Sequence, residues 1–82
     1  MDLEQLKKQT KAEILRIYNN FKNNVGFIHI GYKHDAKEIC LGYVKLIDDF
    51  DTEEKVNKAL DTCKQYIDSA RSLCNMPPEV YN

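Results

Sequence analysis

The stretch Val25 to Ile47, VGFIHIGYKHDAKEICLGYVKLI, decides the fold. It carries one short phrase twice, Ile28-His29-Ile30-Gly31-Tyr32-Lys33 and Ile39-Cys40-Leu41-Gly42-Tyr43-Val44, separated by the polar segment His34 to Lys37. Both copies are rich in β-branched and aromatic residues, which suit a half-buried pleated surface. Pairing Lys33 with Glu38 sets Tyr32 opposite Ile39, Ile30 opposite Leu41 and Ile28 opposite Tyr43, all on one face. The other face pairs Gly31 with Cys40, His29 with Gly42 and Phe27 with Val44. One register thus satisfies both faces, and the stretch is expected to form an antiparallel hairpin over about 25–33 and 38–47.

A second reading competes with the hairpin. Asp35 and Glu38 make a capping-box pattern, and Ala36, Ile39, Cys40, Tyr43, Val44 and Ile47 follow helical spacing. That reading makes 35–49 a helix and the chain an all-α three-helix bundle. Two considerations favour strands. Residues 25–32 look extended, and an isolated strand would leave its backbone groups unpaired. Gly42 inside a helix would cost about 1 kcal/mol relative to Ala.

The flanks read more simply. Residues 2–22 are expected to be helical, with Asp2 as N-cap and Gln5 completing a capping box. Leu3, Leu6, Ile14, Ile17, Tyr18 and Phe21 fall on one face of it. A second box, Thr10 with Glu13, places the start of the helix proper near Lys11. Residues 52–75 are expected to form the last helix, capped by Asp51 or Thr52, with Val56, Ala59, Leu60, Cys63, Ile67, Ala70, Leu73 and Cys74 as its apolar stripe. Pro77 and Pro78 are expected to stop it and leave 76–82 as an extended tail. The expected fold class is therefore α+β, a small α-β-β-α arrangement in one domain, 1–82.

Composition narrows function. At 82 residues the chain has room for one small core, and self-association is a common remedy for its thin stability. A net charge of −1 lacks the basic excess of a general nucleic-acid binder. The cysteines Cys40, Cys63 and Cys74 are odd in number, and MDLEQLKKQ does not read as a leader, so reduced thiols and a cytoplasmic setting are expected. No apolar run approaches the ~20 residues of a membrane span. The tilt toward Lys, Asn, Ile and Tyr suits a bacterial or phage source.

Chemistry-bearing patterns are weak. His29, His34, Cys40 and Cys63 invite a zinc proposal, but no tight local ligand pairs occur. Asp49, Asp51 and Glu53 match the first odd positions of a calcium loop, yet Glu54 stands where the loop needs Gly and Leu60 where it needs Glu. Isolated Gly26, Gly31 and Gly42 form no phosphate loop. Cys63 and Cys74 lie on an apolar helix face, where a thiol is inert. No catalytic residue, metal or cofactor is assigned, and the chain is not expected to be an enzyme.

What remains is surface. A hairpin apolar on both faces exceeds what two short helices can cover, which signals association. The expected function is a small protein-binding module, regulatory or inhibitory and homodimeric, using Phe27, His29, Tyr32, Lys33, Tyr43, Val44 and Leu46, with Asp49 and Asp51 as an acidic patch for a basic partner. Two rivals stand beside it: a ligand- or nucleotide-binding protein with His29, Tyr32, Lys33 and Tyr43 in a subunit-interface pocket, and a nucleic-acid-associated regulator. The register makes one further commitment: Ile30 is a core residue, and Ile30→Asp should unfold the chain.

Overall fold

A computed structural model describes residues 2–26 and 29–77. They form three helices: α1, Leu3–Asn24; α2, Ile30–Ile47; and α3, Glu53–Leu73. Each packs against the other two. Among the described residues there is no strand.

The first helix starts where Asp2 accepts the Gln5 backbone N–H at 2.8 Å, satisfying one of the unpaired donors of the first turn. It runs without a break through Thr10, which is buried in mid-helix and starts nothing. Near its end the Asn24 amide donates to the Asn20 carbonyl at 2.7 Å. Thr52 caps α3 by accepting from the Lys55 N–H at 3.2 Å. Glu53 and Glu54 follow in the first turn, where the helix dipole favours negative charge. The stop of α3 is not made by the prolines. Asn75 takes a left-handed φ of 57°. The N–H groups of Asn75 and Met76 donate to the carbonyls of Ser72 and Arg71, which is the Schellman closure.

The middle of the chain corrects the hairpin. Residues 30–47 are one helix, beginning five residues before the Asp35–Glu38 box, with His29 as an N-cap that makes no side-chain cap bond. The α+β class is therefore replaced by an all-helical one. The residues α2 turns inward are Ala36, Cys40 and Ile47, flanked by the half-buried Tyr32, Ile39, Tyr43 and Val44. These recur at three- and four-residue spacing, so a single helix collects the apolar side chains that the hairpin assigned to two strands. A helix also satisfies its own backbone, whereas a lone two-stranded hairpin would leave two open edges. Ile30, assigned to the core by the strand register, is 60% exposed.

The core is built from one stripe per helix: Ile14, Ile17, Tyr18 and Phe21 of α1, Ala36, Cys40 and Ile47 of α2, and Val56, Ala59, Cys63, Ile67 and Ala70 of α3, closed by Cys74. Polar bonds tie its ends. Lys7, itself buried, donates to the Asp48 carbonyl at 3.0 Å, and Lys11 meets the Asp48 carboxylate at 2.6 Å. Two cations of α1 thus stand at the C-terminus of α2, where the helix dipole favours positive charge. At the other end Arg71, also buried, donates to the Pro77 carbonyl at 3.0 Å and to Asn20 Oδ1 on α1. No described helix is long and apolar enough to cross a membrane.

Candidate functional site: a cationic groove between α1 and α2

Three helices packed in a triangle leave an outer groove along each pair. The α1–α3 groove is lined by Leu6, Gln9, Thr10, Glu13, Asn57, Leu60 and Lys64, a mainly polar set of mixed charge. The α2–α3 groove holds a hollow of about 190 Å³ beside Tyr43 and Phe50. The α1–α2 groove differs from both. It encloses about 530 Å³, and its lining joins Leu15, Tyr18, Ile30 and Leu41 with Lys22, Lys33, His34 and Lys37. A larger hollow of about 720 Å³ lies under the C-terminal turn, where Arg71 already serves Asn20 and Pro77.

Helical spacing makes the α1–α2 groove. On α1, Leu15, Tyr18, Asn19 and Lys22 stand at i, i+3, i+4 and i+7. On α2, Ile30, Lys33, His34, Lys37 and Leu41 stand at i, i+3, i+4, i+7 and i+11. Each set therefore forms one stripe. Leu15 is 36% exposed and Ile30 60%, although both are large and apolar. Tyr18 is buried to 6% exposure, and this burial, with Cys40 nearby, pushes its hydroxyl above its ordinary pKa. Lys22 Nζ lies 5.6 Å from the Tyr18 ring centroid, within cation–π range. His34 Nε2 is 3.2 Å from Glu38, at the edge where the groove continues along α2 toward Gly42 and Lys45. Among the described residues the lining holds three lysines and no carboxylate.

Of the nine residues singled out from the sequence, the eight that are described lie on different parts of the surface and core. Phe27 lies outside the described residues, as do Ile28 and positions 78–82 of the expected tail. Lys33 lines the groove. His29 caps α2 with its ring centroid 6.1 Å from that of Tyr32, and Tyr32, Tyr43 and Val44 pack their inner sides on the core. Leu46 is exposed on the far part of α2. Asp49 is exposed in the turn after α2, and Asp51 pairs with Lys55 at 2.8 Å, which holds its carboxyl below the ordinary value. Within the single chain Tyr43 lines the α2–α3 hollow, whereas Lys33 lines the α1–α2 groove. Lys37 and Leu41 escape the hairpin reading because a hairpin breaks the α2 stripe in two; Leu15 and Lys22, on α1, stand beside the apolar face named for that helix.

The cysteines are core groups. His29 and Cys40, diagonal neighbours in the hairpin register, are separated by three turns of helix, about 16 Å along the axis at ~1.5 Å per residue. Cys40 and Cys63 are both fully buried, one on α2 and one on α3. The Cys40 thiol beside it, and then burial, push the Cys63 thiol upward, burial alone pushes Cys74 upward, and the Cys63 thiol holds Cys40 below its ordinary value. Among the described residues no three His, Cys, Asp or Glu side chains gather as a metal site.

Comparison with protein-family models, curated proteins and solved structures finds no match for this chain.

Proposed function

We propose that the chain is a non-catalytic protein-binding module whose recognition surface is the α1–α2 groove, acting on its partner as a regulator or inhibitor. The observation that carries the reading is the pairing of exposed large apolar side chains, Leu15 and Ile30, with a rim of lysines in one trough. Apolar side chains left at the surface cost hydration free energy of roughly 25 cal/mol per Å² that a partner can recover. A floor of this kind inside a polar rim is the usual anatomy of a protein interface. Burial, by contrast, opposes thiolate formation at Cys63 and Cys74, which suits packing better than nucleophilic chemistry.

The test is a comparison of the native chain with Leu15→Glu and Ile30→Asp. Both positions are exposed enough for the variants to keep their helical circular dichroism. A protein recovered from host lysate is purified and its binding measured by calorimetry against all three chains. Binding to the native chain that falls at least about tenfold with both variants supports the reading. Equal binding to all three, or no purified partner, overturns it.

A further inference from the structure

Resting on that reading of the groove, we infer that its occupant is one acidic amphipathic helix of a partner protein, laid along α1 and α2 as a fourth helix.

Charge selects the sign of the partner. The chain as a whole is slightly acidic, at −1, yet this trough is rimmed by Lys22 on one wall and Lys33 and Lys37 on the other, with His34 between them. None of these lysines is held in an ion pair among the described residues, in contrast to Lys7, Lys11 and Lys55. A segment with carboxylates along both flanks would meet a lysine on either side, and rim charges of this kind set partner choice and association rate.

Shape selects a helix. The α2 wall of the groove extends from Ile30 to Leu41. At ~1.5 Å per residue it runs about 16 Å, or three turns, which matches a partner helix of about 11 residues. The floor presents apolar atoms from Leu15, Ile30 and Leu41 between two helical ridges, the geometry that accepts anchors at i, i+3 or i+4, and i+7.

The same features weigh against other occupants. Three lysines would give a nucleic-acid complex a salt slope of only about −2.7, and an apolar floor offers phosphates nothing. A second copy of this chain would have to bring its acidic segment, Asp48 to Glu54. That segment is a turn and a helix start, and its one large apolar residue, Phe50, already packs on its own core.

The experiment uses the full chain labelled with nitrogen-15 and three synthetic peptides of about 14 residues. The first is a helix former with leucines at i, i+3, i+7 and i+10 and glutamates elsewhere. The second replaces every glutamate by lysine, and the third places two prolines in the middle of the first. The inference expects the acidic helix to shift the amides of Leu15, Lys33, Lys37 and Leu41 and to gain helicity on binding. It also expects the other two peptides, and the acidic peptide against Lys33→Glu/Lys37→Glu, to bind at least about tenfold more weakly. Equal binding of acidic and basic peptides overturns it, as do shifts centred on Tyr43 and Phe50. Tighter binding of a single-stranded RNA oligomer or phosphatidylglycerol vesicles, or a dimer of the free chain that excludes the peptide, overturns it as well. If the acidic peptide fails while a purified partner still depends on Leu15 and Ile30, the helix inference falls and the protein-binding reading stands. If nothing depends on those residues, both fall.

Discussion

Replacing Gly42 by alanine tests the helical reading of the middle segment at its weakest point. Gly42 sits in the interior of α2, at negative φ, and a Cβ built on it meets nothing within 4 Å outside the helix's own backbone. The glycine is thus not required by a close approach or a left-handed backbone, and its cost in the helix, about 0.5–1 kcal/mol relative to Ala, is recoverable. For a chain of this size that gain raises the melting temperature by about 2–8 °C. Alanine alone does not separate helix from strand, because glycine weakens both. Valine does. A helix orders the three as Ala above Val above Gly, since the β-branched side chain loses rotamer freedom against the preceding turn, whereas a strand places Val at or above Ala. Thermal and urea melts of Gly42→Ala and Gly42→Val give the order directly. Gly31 also has open space at its Cβ. It lies about 16 Å from Gly42 along the helix axis, so Gly31→Ala should add to Gly42→Ala without coupling. Valine more stable than alanine, or alanine less stable than glycine, would refute the reasoning.

Ile30→Asp, which the hairpin register expects to unfold the chain, should leave its circular dichroism and urea midpoint nearly unchanged, because Ile30 is 60% exposed. Lys7→Met keeps the buried stem but removes the bond to the Asp48 carbonyl. A loss of about 1.5 kcal/mol in urea unfolding is expected, at the low end for a charged donor, because water reaches the exposed Asp48. Asn75→Gly relieves a left-handed residue at the end of α3 and should raise stability by a few tenths of a kcal/mol to about 1 kcal/mol, read from the same melts. Glu13 is held below its ordinary value of 4.5, chiefly by its hydrogen bond from Arg16. Its carboxylate therefore stabilises the fold above pH 4.5, and that contribution is lost as pH falls through the lower folded value. Glu13→Gln should flatten that part of the pH dependence of melting, and high salt should shrink it, since both partners are partly exposed.

The two outer helices are legible in the sequence because their signals are local. Asp2 with Gln5 and Thr52 ahead of two glutamates mark starts, and apolar stripes at helical period follow each one. The end of α3 departs from the expected proline stop for a physical reason: Asn75 in a left-handed conformation closes the helix before Pro77 is reached. The middle segment is ambiguous because its apolar residues are dense enough to satisfy both periods at once. Tyr32, Ile39 and Tyr43 line up at period two across a hairpin, and the same residues join Ala36, Cys40, Val44 and Ile47 at helical spacing. Gly42 argues against the helix at about 1 kcal/mol, a cost that burying apolar side chains against two other helices outweighs. Ala36, Cys40 and Ile47 are all fully buried there. The groove is hidden for the same reason, since Ile30, Lys33, His34, Lys37 and Leu41 share a face only once α2 is one continuous helix.

The two long-range polar pins carry a kinetic consequence. Lys7 reaches Asp48 across 41 positions of sequence and Arg71 reaches Asn20 across 51, one near each end of α1. Helical contacts form within a few residues and early, whereas closures of this span come late in folding. Interactions absent from the transition state act almost wholly on the rate of unfolding. Lys7→Met should therefore shorten the lifetime of the native chain while leaving its folding rate nearly untouched, and because Lys7 joins α1 to the end of α2, the same change should loosen the two walls of the trough against each other.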